Sequence, residues 1–387
     1  MAPPFAAFTE AEHRERLARA RAVLREAGFA LCVSVAPEHL YYFAGYDAIA
    51  HFSPQALVFG LADDDQPTLI LRDVDRLLAL ETSWVQDVRT YHLNADDVPA
   101  MVVTAAEQRG LRAGRVAVEL QSHAIPGAYL RDLEAALRPA TIEDASDLLG
   151  DLRVRKSPGE IAYLRQAAGY AETGLQAGRR LVRPGMSEIE LAGGIESAMR
   201  AAGCEYFSVP TQLTSGPRTP GGHGTPTARV IEPGDLVHME FPGVARRYHA
   251  AAIHTMAAGE PVPRERQVYA LALESLRAGL AVARPGVPVA DIEEASLGPL
   301  RREGLEHAAM MRFGYGVGIA YPPIWLEPLT IAKGFPTVLA TGMVFVLHAC
   351  LELIDEQLGV VIGGTYALDQ DGIRMLAGAG AAELFVE

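Results

Sequence analysis

Cysteine is scarce, with three residues in 387, at positions 32, 204 and 350. Widely spaced, odd in number and set among apolar neighbours, these thiols exclude a disulfide framework and are expected to be reduced and buried. Positive charge is also short, with 34 Lys and Arg against 48 Asp and Glu. The net charge of −14 argues against nucleic acid or an anionic membrane surface as partner. Long apolar runs are missing too. None approaches the ~18 residues that a membrane span needs. From Phe8 the chain enters a charged amphipathic helix with no apolar signal core. A soluble, cytoplasmic protein is the expectation. What is present is a 49% share of hydrophobic residues, enough at this length for two domains with separate cores.

The first part of the chain alternates helical and strand patterns. Leu17 to Ala27 reads as helix, and Ala30–Val35, Gln55–Gly60, Pro67–Leu71 and Arg115–Glu119 read as strands. Pro126 to Leu137 is a helix with its proline at the tolerated start. Alternation of this kind predicts an α/β (α+β) chain beginning with a mixed sheet covered by helices. Ser157-Pro158-Gly159-Glu160 then combines an N-cap, a proline in the first helical turn and the glutamate of a capping box. The boundary is therefore placed between domains 1–152 and 153–387.

The second domain carries an internal repeat. Arg183-Pro184-Gly185 precedes a helix with a second capping box, Ser187 and Glu190, and Arg284-Pro285-Gly286 precedes another helix. Glu232–Glu240 parallels Ala340–His348, and six residues beyond the turn glycines 234 and 342 stand Glu240 and His348. Two equivalent halves would aim these side chains at one central site.

Acids are missing where the next strand returns, since it reads Ala250-Ala251-Ala252. What remains is His223, in the glycine- and proline-rich loop PGGHGTP, and Glu240, at the end of an apolar strand. Glycines admit a ligand close to the backbone. An imidazole that titrates near neutrality suits proton transfer to a leaving nitrogen or from water. A buried carboxylate can attack an electrophilic carbon or hold an amidinium by paired hydrogen bonds. The alternatives are a loop histidine satisfied by backbone and a core acid paired with Arg246 or Arg247. Tyr315, flanked by Gly314 and Gly316, is a candidate donor to a developing oxyanion, or a packing residue. His249, His254 and His348 are candidates to orient substrate, with Tyr248 and Tyr321 beside them. His238 shares a strand face with Glu240. His13 and His307 read as solvent-facing.

The motifs SPGEIAYLRQA, RPGMSEIEL, SGPRTPGGH, EPGDLVHMEFPG, RFGYGVGIAYPP and TGMVFVLH together resemble the creatinase/aminopeptidase P/prolidase superfamily. The resemblance spans nearly the whole chain. It implies a creatinase-type N-terminal domain followed by a pseudo-symmetric pita-bread catalytic domain. Metal-dependent members hold a metal pair with two aspartates, a histidine and two glutamates. Here those positions carry Glu240, Ala251, Tyr315, His348 and Gly363 or Gly364. No metal pair and no cofactor are expected, and the remaining metal option is a single zinc on His254, His348 and Glu240. The nearest likeness is to the metal-free members, creatinase and ectoine-hydrolase-type proteins, through GYDAIAHF, SGPRTPGGH and RYHA. The sequence departs from the latter at His254, where they carry arginine, and near Ile49, where an aromatic is usual.

The resemblance implies a hydrolase of a non-peptide C–N bond in a small metabolite. It further implies a homodimer in which a loop carrying Tyr46, His51 and Phe52 covers the partner's site. Non-hydrolytic chemistry on the same acid/base pair and an inactive binding protein are the competing readings. A metal-dependent Xaa-Pro peptidase is disfavoured by the missing ligands.

Overall fold

The computed structural model describes residues 3–378. Their contacts divide the chain into two compact units, Met1–Arg153 and Val154–Glu387. Among the described residues no helix is long and apolar enough to cross a membrane.

The first unit is a six-stranded mixed sheet with helices α1 (Glu10–Glu26), α2 (Pro37–His39), α3 (Arg76–Thr82), α4 (Val98–Gln108), α5 (Gly127–Ala136) and α6 (Ser146–Val154), the last of which ends at the unit boundary. Its strands are β1 (Leu31–Ser34), β2 (Ala56–Gly60), β3 (Thr68–Arg72), β4 (Asp87–Tyr91), β5 (Arg115–Val118) and β6 (Thr141–Asp144), ordered β4-β3-β2-β1-β5-β6. Val33, Val58, Ile70 and Val116 form a core with Val102 and Ala105 of α4 and Leu133 of α5. Helix α1 starts earlier than its apolar pattern, because Thr9 caps it by accepting from the Glu12 amide. His13 is not solvent-facing as expected. It is buried on α1, its Nδ1 bonds the Tyr42 carbonyl, and burial lowers its pKa to about 4.

The second unit carries long helices α7 (Pro158–Leu181), α8 (Glu188–Ala201), α9 (Pro263–Val282) and α10 (Val289–Arg302). Both expected capping boxes are present, at Ser157/Glu160 and Ser187/Glu190. The strands are β7 (Gln212–Ser215), β8 (Leu236–Ala245), β9 (Tyr248–Ala257), β10 (Gly314–Val317), β11 (Leu326–Ile331), β12 (Val344–Leu353), β13 (Leu358–Asp369) and β14 (Gly372–Ala377). Their order is β11-β10-β12-β13-β9-β8-β7, with β14 paired to β13.

Duplication is visible in this order, since β8 and β9 mirror β12 and β13 across the middle of the sheet. The turn glycines match as well. Gly185 and Gly286 have φ of +91° and +87°, and Gly234 and Gly342 have +89° and +90°. Only glycine takes this left-handed conformation without cost. One sheet face is apolar: Met239 and Phe241 lie in a core with α7 and α8, and Phe345 and Leu347 in one with α9 and α10. The opposite face carries the polar residues.

Candidate active site

Alternation along each strand and register across strands place one row of side chains on that polar face. Gln212 pairs with Glu240, Glu240 with Ile253, Ile253 with Gly363, and Gly363 with His348. Tyr315 joins through Val346, its partner on β12.

The central contact is a chain of hydrogen bonds. The Tyr315 hydroxyl donates to Glu240 Oε1 at 2.9 Å, and Trp325 Nε1 donates to the Tyr315 oxygen at 3.2 Å. Glu240 and Tyr315 stand four strand steps apart, roughly 19 Å if the sheet were flat at about 4.8 Å per strand. Their combined side-chain reach is well short of that, so the sheet must curl around the site. Burial pushes the Glu240 carboxyl up to about 7, and the Tyr315 bond only partly offsets this. Burial, followed by the Glu240 charge, holds the Tyr315 hydroxyl well above its ordinary value. In this arrangement the one Tyr315 proton is used on Glu240, a bond that neither the oxyanion-donor nor the packing reading of Tyr315 included. Replacing Tyr315 with phenylalanine should therefore raise the Glu240 pKa further. If ionised Glu240 does the work, the rising limb of the kcat/KM–pH profile should move to higher pH, and an unmoved limb would refute the coupling.

Around this pair lie two buried histidines. His348 tilts against Tyr315 with ring centroids 5.8 Å apart. Burial, then the charges of His238, Arg312 and His223, lower His348 to about 4. Burial, then the His223 charge, does the same to His238. Both imidazoles are therefore neutral at pH 7. Their four ring nitrogens, with Gln212 Oε1, Thr211 Oγ1 and Thr214 Oγ1, have no hydrogen-bond partner among the described residues. Unpaired buried polar atoms are costly, and water or a polar ligand can satisfy them.

His223 lies on the exposed part of the loop between β7 and β8, within electrostatic reach of His238 and His348. Glu240, Tyr315 and His348 are thus brought together, with His223 coupled electrostatically to His348 and His238. His249 is buried with both ring nitrogens engaged by backbone: Nδ1 donates to the Arg247 carbonyl at 2.8 Å, and Nε2 accepts from the Ser208 amide at 3.2 Å. His254 points to the helix-covered face, edge-on to Tyr269 of α9. The Tyr248 hydroxyl donates to Glu160 on α7 at 2.9 Å, and Tyr321 is buried with its ring 5.6 Å from the Arg247 guanidinium. Glu240 is not paired with Arg247, which lies 3.7 Å from the Glu205 carboxylate. Tyr46, His51 and Phe52 belong to the first unit, Tyr46 buried and Phe52 73% exposed.

Four contributors were missed in the sequence. Trp325 and Gln212 gave no signal apart from their neighbours, whereas Arg312 is a charge just before β10 and Glu352 a charge within β12. Arg312 acts on both Tyr315 and His348 and bonds Thr330 Oγ1 at 3.3 Å.

Comparison with known proteins decides the family. The model of metallopeptidase family M24 matches residues 162–375, and that of the creatinase/prolidase N-terminal domain matches 16–155. The chain belongs to family M24. The M24 chain is 28% identical to the ectoine hydrolase of Halomonas elongata, covering 96% of each protein. It is 24% identical to a Xaa-Pro dipeptidase of Pyrococcus furiosus, over 88% of this chain and 91% of that one. The structure of a Xaa-Pro dipeptidase from Bacillus anthracis superposes with a TM-score of 0.85 at 21% identity, covering 96% and 99% of the two chains. The expected creatinase-type domain and pita-bread fold are therefore present, in a superfamily of hydrolases.

The residues present do not fit the metal pair that the family name implies. Among the described residues no three His, Cys, Asp or Glu side chains gather as metal ligands. Ala251 offers no donor. A side chain at Gly363 would press on His348, with its Cβ 2.6 Å from the Leu347 carbonyl oxygen. The zinc option fails as well, because His254 faces away from His348 and Glu240.

Proposed function

We propose that this M24 chain is a metal-independent hydrolase of a non-peptide C–N bond (amidine, cyclic amide or guanidine-like) in a small metabolite. The observation that carries the reading is the buried Glu240 carboxyl, held by Tyr315 and pushed up to about 7, beside His238 and His348, on which the His223 charge acts, with no metal-ligand cluster among the described residues. Glu240 either adds to the electrophilic carbon or, ionised, anchors a cationic C–N group. If Glu240 anchors, His223 takes a proton from the attacking water and delivers it to the departing nitrogen, so a C–O bond to water replaces the C–N bond. If Glu240 adds, protonated His223 delivers its proton to the departing nitrogen. Water, deprotonated by His223, then cleaves the Glu240 adduct and frees the carboxylate. Tyr315 and Trp325 hold the carboxylate in line. The relative named ectoine hydrolase supports a non-peptide substrate, and the relatives named Xaa-Pro dipeptidase make a dipeptide the competing case.

A panel of cyclic amidines, lactams, guanidino compounds and Xaa-Pro dipeptides, followed by mass spectrometry before and after chelation, tests this reading. Hydrolysis of a non-peptide compound that survives chelation is expected, with less than one metal per chain by elemental analysis. Dipeptide cleavage abolished by chelation, or two metals per chain, would make the protein a peptidase. No turnover of any compound would favour a binding protein on the same scaffold.

We further propose a cytoplasmic homodimer in which residues 46–52 cover the partner's site. Ile49 and Phe52, 55% and 73% exposed, give that loop an apolar surface to bury, and all three thiols are free and buried. Light scattering at micromolar concentration should report twice the chain mass, and a single monomeric species would end the proposal.

A further inference from the structure

The His223 loop carries several independent attachments. Glu188, at the start of α8 and fully buried, accepts from five donors on it or its flanks. These are the Ser215 amide and hydroxyl, both at 2.8 Å, the Thr227 amide at 2.9 Å, the Thr227 hydroxyl at 2.8 Å, and the Arg218 guanidinium. Glu352, on β12, accepts from the Gly222 amide at 3.1 Å, one residue before His223. The Cys350 thiol donates to the same Glu352 oxygen at 3.5 Å. Thr219 Oγ1 accepts from the Gly359 amide of β13 at 3.0 Å, and the Leu213 amide donates to the Gly224 carbonyl at 2.9 Å.

Glu188 belongs to the first structural half, and Glu352 and Gly359 to the second. The loop is therefore stapled to both halves, with His223 between the staples. Charged acceptors form stronger hydrogen bonds than neutral ones, and a buried carboxylate with five donors leaves the loop few alternatives. The His223 ring has no hydrogen bond to another described residue, so its place depends on where the loop backbone roots the side chain.

We propose that Glu188 and Glu352 are positioning residues that act together as a carboxylate clamp on the loop, holding the His223 imidazole over the Glu240 face. The clamp rests on the reading that His223 moves the proton, because only then does its placement matter to turnover. Nearby loop contacts such as Arg229 with Asp235 tie the loop's exit to β8 and leave residue 223 untouched.

The test compares Glu188→Gln, Glu352→Gln and His223→Gln in the full chain. Glutamine keeps the size of glutamate while removing its charge and one acceptor oxygen. Hydrogen exchange of peptides spanning 216–227 should quicken at least tenfold in both glutamate variants and stay unchanged elsewhere. The histidine Cε1–H titration supplies a readout that mere stability does not move. The His348 midpoint should rise in both variants as far as it does in His223→Gln, because a displaced His223 no longer depresses it. Should Glu188→Gln fail to fold, Glu352→Gln, with its single loop bond, still decides the matter. Loop exchange and His348 titration both unchanged in Glu352→Gln would overturn the clamp. Failure of the functional reading looks different: His223→Gln would retain turnover of the panel substrate whatever the loop does.

Discussion

Replacing His223 with alanine is expected to lower turnover by roughly 10²–10⁴, the usual scale for a lost general acid/base. The fold should be unaffected, because the side chain is exposed and its loop is held through other residues. Glu240→Gln should cost at least as much, since the amide keeps the shape but neither attacks carbon nor carries charge. If Glu240 only anchors a cationic group, that loss should fall on KM rather than kcat. An adduct on Glu240, seen by intact-mass spectrometry, would select the nucleophile. Near-wild-type turnover in both variants would remove this pair from the chemistry and leave the binding-protein reading.

The second large effect concerns stability. Gly243→Ala should destabilise the protein by about 3 kcal/mol or more, at the upper end for overpacking. At Gly243 a Cβ would run into the Ala167 carbonyl oxygen and lie 2.6 Å from the Ala171 amide nitrogen, both backbone atoms of α7. A helix backbone cannot turn aside as a flexible side chain can. Gly286→Ala serves as the comparison, because nothing lies within 4 Å of its Cβ and only its φ of +87° resists the change. A denaturant midpoint for Gly243→Ala equal to that of Gly286→Ala would show that α7 does not press on β8 as described.

How much was legible in the chain depended on where each segment sits. Buried strands such as β1, β2 and β8 announce themselves as apolar runs, and both capping boxes of the second unit were readable from four residues each. Seven described strands (β4, β6, β7, β10, β11, β13 and β14) were not foreseen, and four of them show why. β4 (DVRTY) and β6 (TIED) are parallel edge strands with most side chains partly exposed, so they show no apolar run. β7 (QLTS) is polar because alternate residues face the site, and β11 carries Pro328, which an edge strand tolerates.

The site followed the same logic. His223 and Glu240 stood out because their local motifs are unusual. His254 and Tyr248 were misjudged because one residue of register decides which face a strand residue serves. The Tyr315–Glu240 bond was not foreseeable at all, since it depends on how far the sheet curls.

That curl has a practical consequence. A bond reaching across four strand steps makes sheet curvature a variable of the chemistry, much as the bend of a bow sets the tension of its string. The helices on the convex side set the bend. Gly279 of α9 leaves no room for a side chain against Ser296 of α10, with Leu347 of β12 and Ile292 close by, so filling it would force α9 and α10 apart over β12. A substitution there touches no reacting group, yet it would alter the distance between a phenol and a carboxylate on the opposite face. Directed evolution of this scaffold therefore has a remote handle on the acidity of Glu240, and shifts in the pH optimum, rather than in binding, would reveal its use.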